Sequence, residues 1–110
     1  MQEGFQKYVY RIQQLCKKYQ VHRLWVFGSV LTESFHSDSD IDFLYELDHR
    51  QLSGEKSIQF FLDFHEELGQ LFQRPIELVW YPGIRNPYFK AEVDETKILI
   101  YDAQLEEILV

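Results

Sequence analysis

The apolar residues Phe5, Val9, Ile12, Leu15, Cys16 and Tyr19 recur at steps of three and four, with Lys and Gln between them. That is the period of an amphipathic helix, expected here over residues 3–19. The pattern then changes: residues 21–27, VHRLWVF, are rich in β-branched and aromatic side chains and stop at Gly28, which tolerates dihedrals that other residues avoid. They predict a strand, and residues 40–47, DIDFLYEL, predict a second. After the polar segment 48–53, Ile58, Phe61, Leu62, His65, Leu68, Leu71 and Phe72 mark a second long helix with Ser53 or Ser57 as its cap. Pro75 opens a third strand over 76–81. Asn86-Pro87 reads as an N-cap followed by proline at the first helical position, so a helix over 87–97 leads into a short fourth strand at 98–101. The closing AQLEEILV, residues 103–110, is apolar at Leu105, Ile108, Leu109 and Val110, and reads either as a last helical turn on the domain or as a docking tail.

With 110 residues, 45% apolar and 16% aromatic, the chain can build one core and is too short for two, so a single domain over 1–110 is expected. No repeat, linker or low-complexity block interrupts it. No apolar run reaches the roughly 18 to 20 residues that span a bilayer, and the start lacks the continuous apolar stretch of a signal peptide. A cytoplasmic location is expected. The single Cys16 excludes an internal disulfide and falls on the apolar stripe of the first helix, so it reads as a core residue, with a reactive thiol as the lesser alternative. Net charge is −7, and Lys and Arg do not cluster beyond pairs such as Lys17-Lys18. The basic footprint of a duplex-DNA binder is missing, and a basic protein partner fits better.

The charge distribution matters most inside the second predicted strand. Residues two apart in a strand face the same side, so Asp40 and Asp42 present two carboxylates together while Ile41 turns away. Two like charges beside an apolar core are costly unless paired, neutralised or bound to a cation. Oxygen ligands without a neighbouring Cys or His suit magnesium or manganese rather than zinc, and His22, His36, His49 and His65 have no ligand-like spacing. A calcium loop fails: Asp38, Asp40 and Asp42 match its opening, but Phe43 stands where it needs Gly and His49 where it needs Glu. The plainer alternative, acids on an exposed edge beside an ordinary turn, is the better reading for Asp38. Upstream, a strand ending in Gly28-Ser29 lets backbone N–H groups and a hydroxyl converge on phosphate oxygens. Ten residues before Asp-x-Asp, it supplies a phosphate cradle facing a metal site.

Gly28-Ser29, ten residues, then Asp40-x-Asp42 resembles the signature of the nucleotidyltransferases related to DNA polymerase beta, and the short chain is similar to their minimal branch, the MNT proteins. These commonly pair with HEPN ribonuclease toxins as antitoxins. The family places a third carboxylate on a later strand, where RPIELVW offers Glu77. The resemblance implies that Asp40, Asp42 and Glu77 hold two magnesium ions bridging the triphosphate of ATP, that Glu77 helps deprotonate the attacking hydroxyl, and that Gly28 and Ser29 hold the outer phosphates. It further implies an α+β fold, a small mixed sheet with helices packed on one face, the site lying at the sheet edge beside the Gly-Ser turn. Many relatives follow Gly-Ser with Arg; here the chain reads Val30-Leu-Thr-Glu33, so Arg74 or Arg85 would have to supply that charge.

Three functions compete on this basis. The first is transfer of AMP from ATP to a protein hydroxyl, a tyrosine of a HEPN toxin. The second is a binding antitoxin that neutralises its partner by complex formation alone. The third is a transferase acting on an RNA end or a small alcohol, for which the chain has almost no residues left to build an acceptor site.

Overall fold

The amphipathic pattern at the start closes into α1 (Val9–Lys18), with Ile12 and Cys16 fully buried, in a computed structural model that describes residues 6–32, 38–47 and 54–105. Tyr19 N–H donates to the Leu15 carbonyl at 3.0 Å and Gln20 takes φ 56°, a left-handed turn that ends the helix and lets β1 (Val21–Phe27) begin at once. Gly28–Leu31 forms a single 3-10 turn, and β2 (Ile41–Leu47) follows.

Asp40 therefore lies just ahead of β2 rather than inside it, a correction to the strand expected over 40–47. The ladder with the next strand begins at Ile41, whose N–H donates to the Pro75 carbonyl at 3.1 Å. α2 (Gly54–Phe72) carries Phe64 and Leu68 into the core. Ser57 sits within its first turn with its hydroxyl donating to the Gly54 carbonyl at 2.9 Å, so it is not the cap, and Ser53 lies outside the described residues. β3 (Ile76–Trp80), α3 (Pro87–Thr96) and β4 (Ile98–Asp102) complete the order. Asn86 caps α3 as its sequence predicts, its Oδ1 accepting from the N–H groups of Tyr88 at 2.9 Å and Phe89 at 3.2 Å.

The sheet runs β3-β2-β1-β4; β1 is antiparallel to both its neighbours, and β2 and β3 are parallel, joined through α2. This is the expected α+β architecture with a mixed sheet. Alternation assigns the faces: Leu24, Val26, Ile41, Phe43, Ile76 and Ile100 bury against α1 and α2. The residues between them are partly apolar too, and Phe27 and Leu44 on the opposite face bury against Val93 of α3. α1 and the longer α2 thus share one face as expected, and α3 covers part of the other, leaving its β2–β3 end to the carboxylates. Arg23 on β1 ties the three-strand interior at the far end, donating to Glu46 of β2 at 2.6 Å and Asp102 of β4 at 3.0 Å.

Cys16 behaves as the sequence reading expects: burial pushes its thiol far up from the ordinary range, so it is an inert core residue. Past β4, Ala103 packs against the main core and Leu105 is half exposed; Ile108, Leu109 and Val110 of the anticipated tail lie outside the described residues. Among the described residues no helix is long and apolar enough to cross a membrane.

Candidate active site

Phe27 ends β1 facing away from the α1/α2 core, and Gly28 then takes φ +81°, a left-handed backbone that an L side chain resists. The turn is held from inside by Val30, which is fully buried, and from outside by Thr32, whose N–H and hydroxyl both donate to the Ser29 carbonyl at 2.9 Å. Gly28 is needed for a second reason: a Cβ there would overlap Asp42 Oδ2 and approach its Cγ to 3.3 Å. The sequence spacing brings Gly28 and Asp42 into contact because β1 and β2 are antiparallel, with Phe27 registered opposite Asp42.

The third acid arrives from the other side. β3 runs parallel to β2 with Glu77 registered beside Asp42, so the two side chains share one face at the sheet edge. Glu77 is close enough there to favour the protonated form of the Asp42 carboxyl. Asp42 accordingly has its pKa raised to about 6, first by partial burial, then by the hydrogen bond and charge of Glu77, and last by the charge of Asp40. Asp40 is exposed and near enough to repel Asp42.

Gly28, Ser29, Asp40, Asp42 and Glu77, all singled out from sequence, therefore gather at one end of the sheet. Among the described residues no three His, Cys, Asp or Glu side chains already surround one point. The donor set nevertheless fits a hard divalent cation: it is all oxygen, and Asp42 and Glu77 are neighbouring acids whose joint ionisation is resisted and would be relieved by a cation. Val30, directly after the Gly-Ser pair, is fully buried and brings no charge to the turn, and residues 33–37 lie outside the described residues.

Two features were not legible beforehand. Arg74, expected only as a spare positive charge, is half-buried and donates through Nη1 to the Ser39 carbonyl at 3.0 Å, just before Asp40; Arg85 is exposed. The second is a cavity of about 330 Å³ beside Gly28 and Ser29, walled by Phe27, Leu31, Phe89 and Val93, with Glu92 and Thr96 among its polar groups. Apolar walls with a few placed polar groups are usual for a small-ligand site. Its sequence signal was present, in α3 residues three and four apart, but nothing in the pattern said that α3 would face the Gly-Ser turn.

The family model for "Polymerase beta, Nucleotidyltransferase" matches residues 10–106, most of the chain. The chain belongs to this nucleotidyltransferase family. It is 29% identical over 83 residues to the "Putative protein adenylyltransferase" of Methanocaldococcus jannaschii, covering 76% of this chain and 80% of that protein. In three dimensions it is similar to the structure of a "putative minimal nucleotidyltransferase" (TM-score 0.69, 22% identity, 87% of this chain and 92% of that one). It is also similar to a toxin–antitoxin crystal structure with AMP-PNP (TM-score 0.65, 16% identity, 92% and 78%) and to a tri-AMPylated Shewanella oneidensis HEPN toxin in complex with an MNT antitoxin (TM-score 0.60, 16% identity, 94% and 77%). At these identities the structural likeness establishes a shared fold, which is that of the minimal nucleotidyltransferases, as the motif spacing led us to expect.

Proposed function

We propose that this nucleotidyltransferase moves AMP from ATP to a protein hydroxyl, a tyrosine of a partner HEPN ribonuclease toxin, and thereby acts as a cytoplasmic antitoxin. The observation that carries the reading is the parallel register of Asp42 with Glu77, set against the Gly28 turn. Two neighbouring carboxylates beside a Gly-Ser turn support the reading, since nucleotidyl transfer needs both acids and a cradle for phosphates. The M. jannaschii relative's name and the HEPN-toxin complexes among the structural neighbours support the choice of acceptor.

In this reading Asp40, Asp42 and Glu77 would hold magnesium, which would supply charge neutralisation to the triphosphate and the leaving pyrophosphate. Gly28 presents its N–H, and Ser29 its N–H and hydroxyl, to the outer phosphates, close to the carboxylates because Gly28 has no Cβ to hold Asp42 away. The acceptor oxygen attacks the α-phosphorus, the bond to the bridging oxygen of pyrophosphate breaks, and the acceptor's proton passes to the Glu77 side of the carboxyl pair. The partner supplies the acceptor and most of its positioning, since the described residues are taken up by the sheet and the helices that pack on it.

The test is intact mass of a HEPN partner after incubation with this protein, magnesium and ATP, run beside Asp42→Asn. A gain of one or more adenylyl units with the native chain alone is expected. A stable complex with no mass gain would replace this reading with an antitoxin that works by occupancy, and mass gain surviving Asp42→Asn would remove Asp42 from the chemistry.

A further inference from the structure

We infer that Arg74 is a positioning residue for the divalent-cation site, locking the segment that carries Asp40 against the segment that carries Glu77. This rests on the reading of Asp40, Asp42 and Glu77 as cation ligands. The geometry has three parts, each with at least one end within three residues of a site carboxylate. Arg74 Nη1 donates to the Ser39 carbonyl at 3.0 Å, Ile41 N–H donates to the Pro75 carbonyl at 3.1 Å, and the His65 ring Nε2 lies 2.8 Å from the Ile76 carbonyl. The first two cross-link the chain entering β2 to the chain entering β3; the third fastens β3 to α2.

The cross-link is needed because Asp40 lies ahead of the strand. Asp42 is fixed by ladder partners on both sides, Phe27 and Glu77, whereas the paired register of β2 starts only at Ile41. The carbonyl one residue before Asp40 is the group that Arg74 grips. A guanidinium bonded to that carbonyl limits the swing of Asp40 Cα and keeps its carboxylate near Asp42, where its charge is already felt. Gln73 before it adopts φ 56°, a left-handed turn after α2 that re-aims the chain so that Arg74 is half-buried beside β2.

The alternative, that Arg74 acts only through its charge, makes the opposite prediction. A guanidinium beside a cation site repels the cation, so removing it should tighten cation binding. If Arg74 instead orients a ligand, removing it should weaken binding, and groups that orient ligands typically contribute about 10- to 100-fold to metal affinity.

The experiment is Mn²⁺ titration followed by electron paramagnetic resonance on the full chain, for the native protein, Arg74→Ala, Arg74→Gln, Arg74→Lys and Asp42→Asn, with thermal unfolding of each. We expect Arg74→Ala to weaken Mn²⁺ binding by about tenfold. Arg74→Gln, which is neutral and too short to span the same distance, should behave alike and serves if the Ala variant does not fold. Arg74→Lys, which keeps one long donor, should recover most of the affinity, and the losses should not track the shifts in unfolding temperature. Unchanged or tighter binding in folded Arg74→Ala and Arg74→Gln overturns the inference while leaving the carboxylate site standing. A native chain that binds Mn²⁺ no better than Asp42→Asn overturns the carboxylate site itself, and this inference with it.

Discussion

Asp42 and Glu77 stand side by side across parallel strands, and half-buried Asp42 keeps its proton at a pH where an isolated carboxyl has lost its own. The Asp42 pKa is raised to about 6 from an ordinary 3.8, chiefly by burial. The folded protein therefore holds this proton more tightly than the unfolded chain does. Stability of the metal-free protein should fall as pH rises through the window from about 4 to about 6, and the cost of ionising Asp42 is fully present above it. A cation must displace the same proton, so Mn²⁺ affinity should climb by up to roughly tenfold per pH unit below 6 and level off above it. Isothermal titration at a series of pH values checks this. A flat profile across that window, or the same slope in Asp42→Asn, would show that another group sets it.

Gln20 closes α1 at φ 56°, a conformation that suits glycine far better than a residue with a Cβ. Gln20→Gly should stabilise the protein by roughly 0.5–1 kcal/mol, the strain relieved outweighing the extra freedom of the unfolded chain. Chemical unfolding measures it. A loss of stability would mean that the half-buried Gln20 side chain contributes more than its backbone costs.

Asn86 holds two N–H groups at the start of α3, the helix whose Val93 and Phe89 cover Phe27. Asn86→Ala should lower stability by about 1 kcal/mol, and Asn86→Asp should restore it, an acid being equally able to accept and favoured at a helix start. Because α3 contributes none of the carboxylates, Mn²⁺ affinity should be unchanged in both. A parallel loss of affinity would place α3 in the site more directly than its packing implies.

Much of the site was legible because its spacing is dictated by strand geometry. A strand that ends at Gly28 and an antiparallel neighbour carrying Asp42 must return to the same end of the sheet, and the helical span of residues 54–72 between β2 and β3 makes their parallel pairing the simple solution. The register of Glu77 with Asp42 follows from Pro75, which stops the chain just before Ile76 pairs with Ile41. What periodicity could not reveal depends on directions between elements. The grip of Arg74 on Ser39 and the placing of α3 on the second face are both of this kind. Residues 25, 27 and 44 looked like ordinary strand apolars, and only the sheet order shows that they form a second, smaller core. The start of β2 was misplaced by one residue for a related reason: where the ladder begins is decided by the partner strand, and Asp40 has the same local propensity on either side of that boundary.

Gly28 and Gly54 provide a paired test of how closely the turn is fitted to the site. Both have positive φ, +81° and +60°, so an added Cβ is strained at either position. No described residue lies within 4 Å of a Cβ at Gly54, whereas at Gly28 the new carbon would run into the Asp42 carboxylate. Gly54→Ala should therefore lower stability by about 1 kcal/mol through backbone strain alone and leave Mn²⁺ affinity as it was. Gly28→Ala carries the same strain and must also displace the Asp42 carboxylate, which lies between Gly28 and Glu77, adding about 1–2 kcal/mol and weakening Mn²⁺ binding. The displacement should also change the spacing of Asp42 and Glu77, so the pH dependence of affinity argued above should move in this variant and not in Gly54→Ala. Urea unfolding with Mn²⁺ titration at two pH values separates the cases. Equal effects from the two substitutions would mean that Gly28 is required for its dihedral angle alone, and that the contact with Asp42 has no part in holding the site together.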